Sequence, residues 1–153
     1  MTDRSSPVLD IGCGTGLVAD YLIEESFVNV VGLDFSPEML AEADQKDIYC
    51  SLIEADLEEK LLIADATYAG AISCGTFTHG HVGPSAFHEI FRVLERGAPF
   101  ACTIHSHLWT SEGFDQALAV LENERVMSIE TINDESYFDG ESADGKFCIF
   151  RKI

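Results

Sequence analysis

A chain of 153 residues, 46% hydrophobic and 24% charged, has the make-up of one ordinary folding domain spanning 1–153, which excludes disorder over most of its length. Its 27 acids against 9 bases leave a formal net charge of -18; such a surface repels phosphate backbones, argues against DNA, RNA and anionic membranes as partners, and tolerates neutral or cationic ligands. The five cysteines are odd in number, widely spaced and without C-x-x-C, no apolar run nears the roughly 20 residues of a membrane helix, and the N-terminus lacks a signal-like apolar stretch, so buried thiols and a cytoplasmic location are expected.

Strand-like and helix-like segments alternate along the chain. Pro7 to Ile11 is a short apolar run ending in glycines, as a buried parallel strand would. Gly16 to Glu25 follows at helical spacing, and Asn29 to Leu33 is a second strand closed by Asp34. Ser36-Pro37-Glu38 opens a helix, with Ser36 as its cap, Pro37 at the first helical position and Glu38 in the first turn. A third strand over Tyr49 to Ile53 stops before Asp56. Tyr68 to Thr78 forms a fourth, interrupted by Gly70 and Gly75, and a helix runs from Pro84 to Leu94 until Gly97. Phe100 to His105 is a fifth strand, Phe114 to Asn123 a helix, and two late strands near 126–132 and 146–152 flank an acidic turn. This order predicts a Rossmann-like, doubly wound α/β fold: a mostly parallel seven-stranded sheet with a C-terminal antiparallel strand pair, in three α/β/α layers.

Ligands of such sheets bind beyond the carboxyl ends of the strands, at the topological switch point. That rule brings the loops after Ile11, Leu33, Ile53, Gly75 and His105 around one crevice. The first loop reads Asp10-Ile11-Gly12-Cys13-Gly14-Thr15-Gly16. A dinucleotide fingerprint wants G-x-G-x-x-G, but position 17 is Leu. The acid two residues before the first glycine suits an ammonium group and would repel a pyrophosphate. Asp34 ends the second strand, where an acid accepts hydrogen bonds from a ribose diol. Asp56, between Ala55 and Leu57, stands where it accepts from an adenine amino group, with Phe35 and Leu57 on the ring faces. One such acid alone is more often a solvated strand-end charge; three at consecutive strand ends, in register with a glycine loop, favour a site.

The segments V-L-D-I-G-C-G-T-G at 8–16, G-L-D-F-S-P-E-M-L at 32–40 and E-A-D-L at 54–57 resemble the first three motifs of class I S-adenosylmethionine-dependent methyltransferases. Within these, G-H-V-G-P-S-A-F-H-E-I-F-R-V-L at 80–94 and F-C-I-F-R-K at 147–152 are similar to small methyltransferase-like proteins related to the Williams–Beuren-region methyltransferase. The resemblance implies S-adenosyl-L-methionine as cofactor. Gly12, Cys13, Gly14 and Gly16 would contact its methionine part, and Asp10 would order the loop or meet the ammonium. It puts Asp34 on the ribose, Phe35 and Met39 beside the adenine, and Ala55, Asp56 and Leu57 at the adenine edge. Cys74 and Gly75 would line the methionine and face the substrate. Two departures stand out: Tyr68-Ala69 replaces a Phe-Asp common in relatives, and only about seven residues precede the first strand, where relatives usually carry one or two helices covering the cofactor.

Methyl transfer needs alignment of its reactants, and a base where the nucleophile carries a proton. The candidate bases are His79 and His105, each in an H-x-H pair with His81 or His107. Paired histidines also suit a metal, but loop histidines beside a cleft more often serve as polar lining, so no metal is expected. The leading function is methyl transfer to an O, N or S nucleophile of a small molecule, with neither nucleic acid nor membrane as partner; a homodimer is compatible with the sequence. One rival is a methyltransferase-fold module that binds S-adenosylmethionine or S-adenosylhomocysteine without efficient turnover. A second, a short dehydrogenase, lacks its Y-x-x-x-K pair.

Overall fold

The computed structural model describes residues 3–78 and 82–153. In chain order it forms β1 (Val8–Ile11), α1 (Leu17–Glu24), β2 (Val30–Asp34), α2 (Pro37–Asp44), β3 (Ser51–Glu54), β4 (Gly70–Phe77), α3 (Ala86–Val93), β5 (Pro99–His105), α4 (Ser106–Ser111), α5 (Phe114–Asn123), β6 (Met127–Glu135) and β7 (Gly145–Lys152). One seven-stranded sheet results, ordered β3-β2-β1-β4-β5-β7-β6. The first five strands run parallel, and β7 enters antiparallel between β5 and β6. The order reverses between β1 and β4. That junction opens the crevice for a ligand.

Alternation along each strand sorts the two faces. Leu9, Ile11, Val31, Leu33, Phe100 and Phe150 point into one apolar cluster with Phe87, Ile90 and Phe91 of α3 and Phe114, Leu118 and Leu121 of α5. Phe87 lies at its centre, with ring centroids 5.2–6.2 Å from Phe77, Phe91, Phe100, Phe114 and Phe150. Ala19 of α1 and Leu40 and Ala43 of α2 are buried outside this cluster. Helix α2 packs against β2 and β3, on the other face of that half of the sheet. Among the described residues, the corresponding face of β4, β5 and β7 forms an open groove of about 330 Å³ bordered by Ile72, Cys74, Ala101 and Ile149.

Local signals explain most boundaries. Ser36 caps α2, its Oγ accepting from the Met39 N–H at 3.2 Å, and Pro37 begins the helix. β4 starts at Gly70 instead of Tyr68, because Tyr68 is buried in a bridge to Leu94. Gly75, at φ 82°, sits where the β4–β5 register shifts between Ser73 and Phe77, so the glycine that weakens the strand pattern marks an irregularity beside the crevice. Helix α4 lacked a sequence signal: six residues bury Leu108 alone. The expectation of buried thiols is corrected for Cys50 and Cys74, which are exposed, while Cys13, Cys102 and Cys148 are buried; all five are free. Among the described residues, no helix is long and apolar enough to cross a membrane.

Candidate functional site

The glycine loop leaves β1 in left-handed steps, with φ of 66°, 53° and 90° at Gly12, Gly14 and Gly16, which glycine adopts without a Cβ penalty. Each glycine meets different surroundings. A Cβ on Gly12 would lie 2.0 Å from Thr76 Oγ1, so that position admits β4. A Cβ on Gly16 would press on the Tyr49 ring at 3.1 Å, beneath the loop. At Gly14 a Cβ would meet nothing within 4 Å. Gly14 is the glycine that faces open space.

Neighbouring strands hold this loop. Gly12 and Cys13 N–H groups donate to the Leu33 carbonyl at 2.7 and 3.0 Å. Ser73 Oγ and Thr76 Oγ1 donate to the Ile11 carbonyl at 2.9 and 3.1 Å. The Gly14 N–H donates to Asp34 Oδ2 at 2.9 Å, and the Ser36 N–H to Asp34 Oδ1 at 2.9 Å. A carboxylate has about four acceptor sites. Asp34 therefore fixes both loops and keeps acceptor capacity toward the crevice.

On the far side, the Glu58 N–H donates to Asp56 Oδ1 at 2.9 Å. The segment after Asp56 is anchored by Arg92 of α3, which donates to the carbonyls of Leu61 at 3.0 Å and Ile63 at 2.8 Å. Arg92 also pairs with Glu89 at 2.8 Å, and Glu89 Oε2 accepts the Leu61 N–H at 2.8 Å. These bonds hold the Glu89 carboxyl below its ordinary range, the Arg92 hydrogen bond contributing most.

Gly12, Gly14, Asp34, Phe35, Met39, Ala55, Asp56, Leu57 and Gly75 border one crevice of about 660 Å³, together with Ser36, Thr76, Thr78 and Val82. Its walls offer apolar surface from Phe35, Met39 and Leu57 and carboxylates from Asp34 and Asp56. Four expected site residues do not border it. Gly16 is buried against Tyr49. Cys13 is buried, its thiol pushed up to about 12 chiefly by burial. Cys74 alternates away from the buried Ser73 and borders the open sheet groove. Asp10 points below the loop, 1% exposed, where it accepts from the Tyr49 hydroxyl at 2.7 Å. Burial pushes Asp10 up to about 6, opposed by that hydrogen bond and reinforced by the Asp34 charge.

His105 does not border the crevice either. It ends β5, caps α4, and sets its Nδ1 2.6 Å from Nδ1 of His107, with its ring stacked on Tyr137 at 5.8 Å. His79 and His81 lie outside the described residues. Sequence reasoning missed Tyr49, Ser36, Thr76, Thr78 and Val82. Ser36 was visible only as a helix cap, and the partners Tyr49 and Asp10 are 39 residues apart, beyond any local pattern.

Residues 8–97 match the family described as Methyltransferase domain, more than half of the chain. The chain belongs to this methyltransferase family. S-adenosylmethionine is the cofactor, and the crevice fits it: an unobstructed glycine backbone at the switch point, two strand-end carboxylates and an apolar wall between them. The fold matches the S-adenosylmethionine-dependent methyltransferase of Mesorhizobium loti at a TM-score of 0.76 and 17% identity, covering 97% of this chain and 91% of that one. It matches one from Methanosarcina mazei at 0.75 and 17%, covering 99% and 94%.

Human Methyltransferase-like protein 27 is 34% identical over 123 residues, 78% of this chain and 50% of that protein. The bovine 18S rRNA (guanine-N(7))-methyltransferase is 41% identical over 71 residues, 46% of this chain and 25% of that protein. This methyltransferase-domain chain thus spans a quarter to a half of these curated relatives. The rRNA enzymes among its relatives, in cattle, mouse and Arabidopsis thaliana, overturn the exclusion of nucleic acid as a partner and the restriction to a small-molecule acceptor. Net charge is a sum over the whole surface, whereas an acceptor is recognised by the local loops around the crevice.

Proposed function

We propose that this domain transfers a methyl group from S-adenosylmethionine to a heteroatom nucleophile, O, N or S. The observation that carries the reading is Gly14: its backbone is open to the crevice at the strand switch point while its N–H is tied to Asp34. In this reading the open acceptor sites of Asp34 take the ribose hydroxyls, Asp56 takes the adenine amino group, and Phe35, Met39 and Leu57 pack on the ring. Gly12, Gly14 and Gly75 let the methionine part approach the backbone. Asp10, Cys13 and Gly16 act from beneath the loop, by holding its shape.

The bound cofactor supplies a methyl carbon already activated by positive sulfur. The protein's work is alignment of the acceptor, exclusion of water, and acceptance of a proton where the nucleophile carries one. His105, the base expected from the sequence, ends β5 outside the crevice that fits the cofactor, so it would serve only an acceptor that reaches beyond that cleft. The similarity to Methyltransferase-like protein 27 supports the subfamily reading, and its 78% coverage of this chain is the reason.

Calorimetry with S-adenosylmethionine, S-adenosylhomocysteine and NAD tests the cofactor. Micromolar binding of the first two, and not of NAD, is the expected result; binding of NAD alone would overturn the reading. A radiolabelled methyl screen with guanine-containing RNA and small O, N and S nucleophiles then separates enzyme from binding module. Cofactor binding with no transfer to any acceptor would favour the module.

A further inference from the structure

Tyr49 lies on the underside of the glycine loop, away from the crevice. Its ring fills the space that a Cβ on Gly16 or Gly32 would take, at 3.1 and 3.0 Å. Its hydroxyl donates to Asp10 Oδ2 at 2.7 Å, the one side-chain hydrogen bond that Asp10 makes among the described residues. Lys46, three residues before Tyr49, donates to the Gly16 carbonyl at 3.3 Å and pairs with Asp20 at 2.6 Å. The segment between α2 and β3 therefore grips the loop from below at two points.

Among the described residues, Asp10 has no cationic partner there. The groups that face it are Tyr49 from this segment, Asp34 from the end of β2, and Cys13 from the loop. A carboxylate nearly sealed from water keeps its charge only where a donor offsets the lost hydration. Tyr49 is that donor. A charge held in low dielectric just under a thin glycine loop acts strongly on a cation above it.

We propose that Tyr49 is a positioning residue for cofactor binding: its hydroxyl keeps Asp10 as a carboxylate under the loop, and this buried charge favours the cationic S-adenosylmethionine over its uncharged-sulfur product. The proposal deepens the methyl-transfer reading and rests on it. Burial and Asp34 raise Asp10 to about 6, so mild acid removes the charge.

The test is calorimetry of the full chain with S-adenosylmethionine and S-adenosylhomocysteine between pH 5 and 7.5, on wild type, Tyr49→Phe and Asp10→Asn. For wild type, affinity for S-adenosylmethionine should fall about tenfold from pH 7 to pH 5, and affinity for S-adenosylhomocysteine less. Tyr49→Phe should move the midpoint of that profile up by about one pH unit, the loss of one charge-assisted hydrogen bond. Asp10→Asn should flatten it. A Tyr49→Phe midpoint equal to wild type, or equal losses for both ligands, would overturn the role of Tyr49 and leave cofactor binding intact. Wild type that binds neither ligand would overturn the cofactor reading and this proposal with it. Thermal unfolding checks each variant, and the isosteric Asp10→Asn keeps the test open if Tyr49→Phe fails to fold.

Discussion

The Gly14 N–H donates to Asp34 Oδ2 at 2.9 Å across 20 residues of sequence. Through that bond the end of β2 and the loop after β1 become one rigid wall of the crevice. The Ser36 N–H on the other carboxylate oxygen adds the start of α2 to the same unit. One side chain thus orders three segments before any ligand arrives.

Asp34→Ala should weaken S-adenosylmethionine by 1.5–3 kcal/mol, roughly 10- to 150-fold in Kd, the range of hydrogen bonds to charged groups. Asp34→Asn, which keeps one acceptor oxygen, should fall between. Calorimetry reads both, and an unchanged affinity would refute the ribose assignment.

The glycines of the loop should separate by phenotype. Gly12→Ala drives a methyl group to 2.0 Å from Thr76 Oγ1 at φ 66°, so it should lower stability by at least 2 kcal/mol through overpacking and strain. Gly14→Ala meets open space and should cost about 1–2 kcal/mol from its left-handed backbone alone, yet obstruct the cofactor. Denaturant melts paired with calorimetry distinguish them; equal stability losses would contradict the packing described.

Asp10 makes a signed pH prediction. Its carboxyl is raised from 3.8 to about 6 in the folded state, so the native protein binds the proton more tightly than the unfolded chain. Ionised Asp10 therefore costs stability at pH 7, and stability from this group rises as pH falls from about 7 to about 4. Asp10→Asn should be more stable than wild type at pH 7 by about 1–3 kcal/mol, while binding cofactor less well. Carboxylates held low, such as Glu89, act oppositely and lose their contribution below about 4.5. Denaturant midpoints measured at several pH values check the crossing.

Arg92 joins α3 to the segment that carries Asp56 and Leu57, through two carbonyls and Glu89. Arg92→Met should destabilise the fold by about 1.5–3 kcal/mol, by leaving carbonyls and a carboxylate unmatched. It should also loosen the cofactor, since Leu57 loses its support. Hydrogen exchange localised to 56–66 would show the loosening; protection equal to wild type would argue against the anchor.

Phe87→Ala removes the ring that touches five other phenylalanines. A loss of about 3–5 kcal/mol is expected, the usual range for a buried Phe cut to Ala. A loss below 1 kcal/mol would mean that the cluster collapses around the hole.

Local chemistry explains what the amino-acid order alone makes legible. Apolar runs, glycine stops and the Ser36-Pro37 cap are signals within a few residues, and they announce α2, α5 and the strand succession to within two or three positions. The glycine spacing at 12–16 and the acids at 34 and 56 were legible because strand ends converge by topology in any sheet of this class. Helix α4 was not legible, since six residues with one buried side chain carry no period.

The primary structure by itself determined the α/β class, the strand-end acids and the glycine bend, because each depends on backbone freedom and short-range patterning. Only the tertiary structure decided which glycine opens to the crevice, that Asp10 turns beneath the loop toward Tyr49, and that Cys74 and His105 stand outside the pocket. Those outcomes depend on contacts between segments tens of residues apart and on which face of the sheet each side chain takes, and strand pairing sets both.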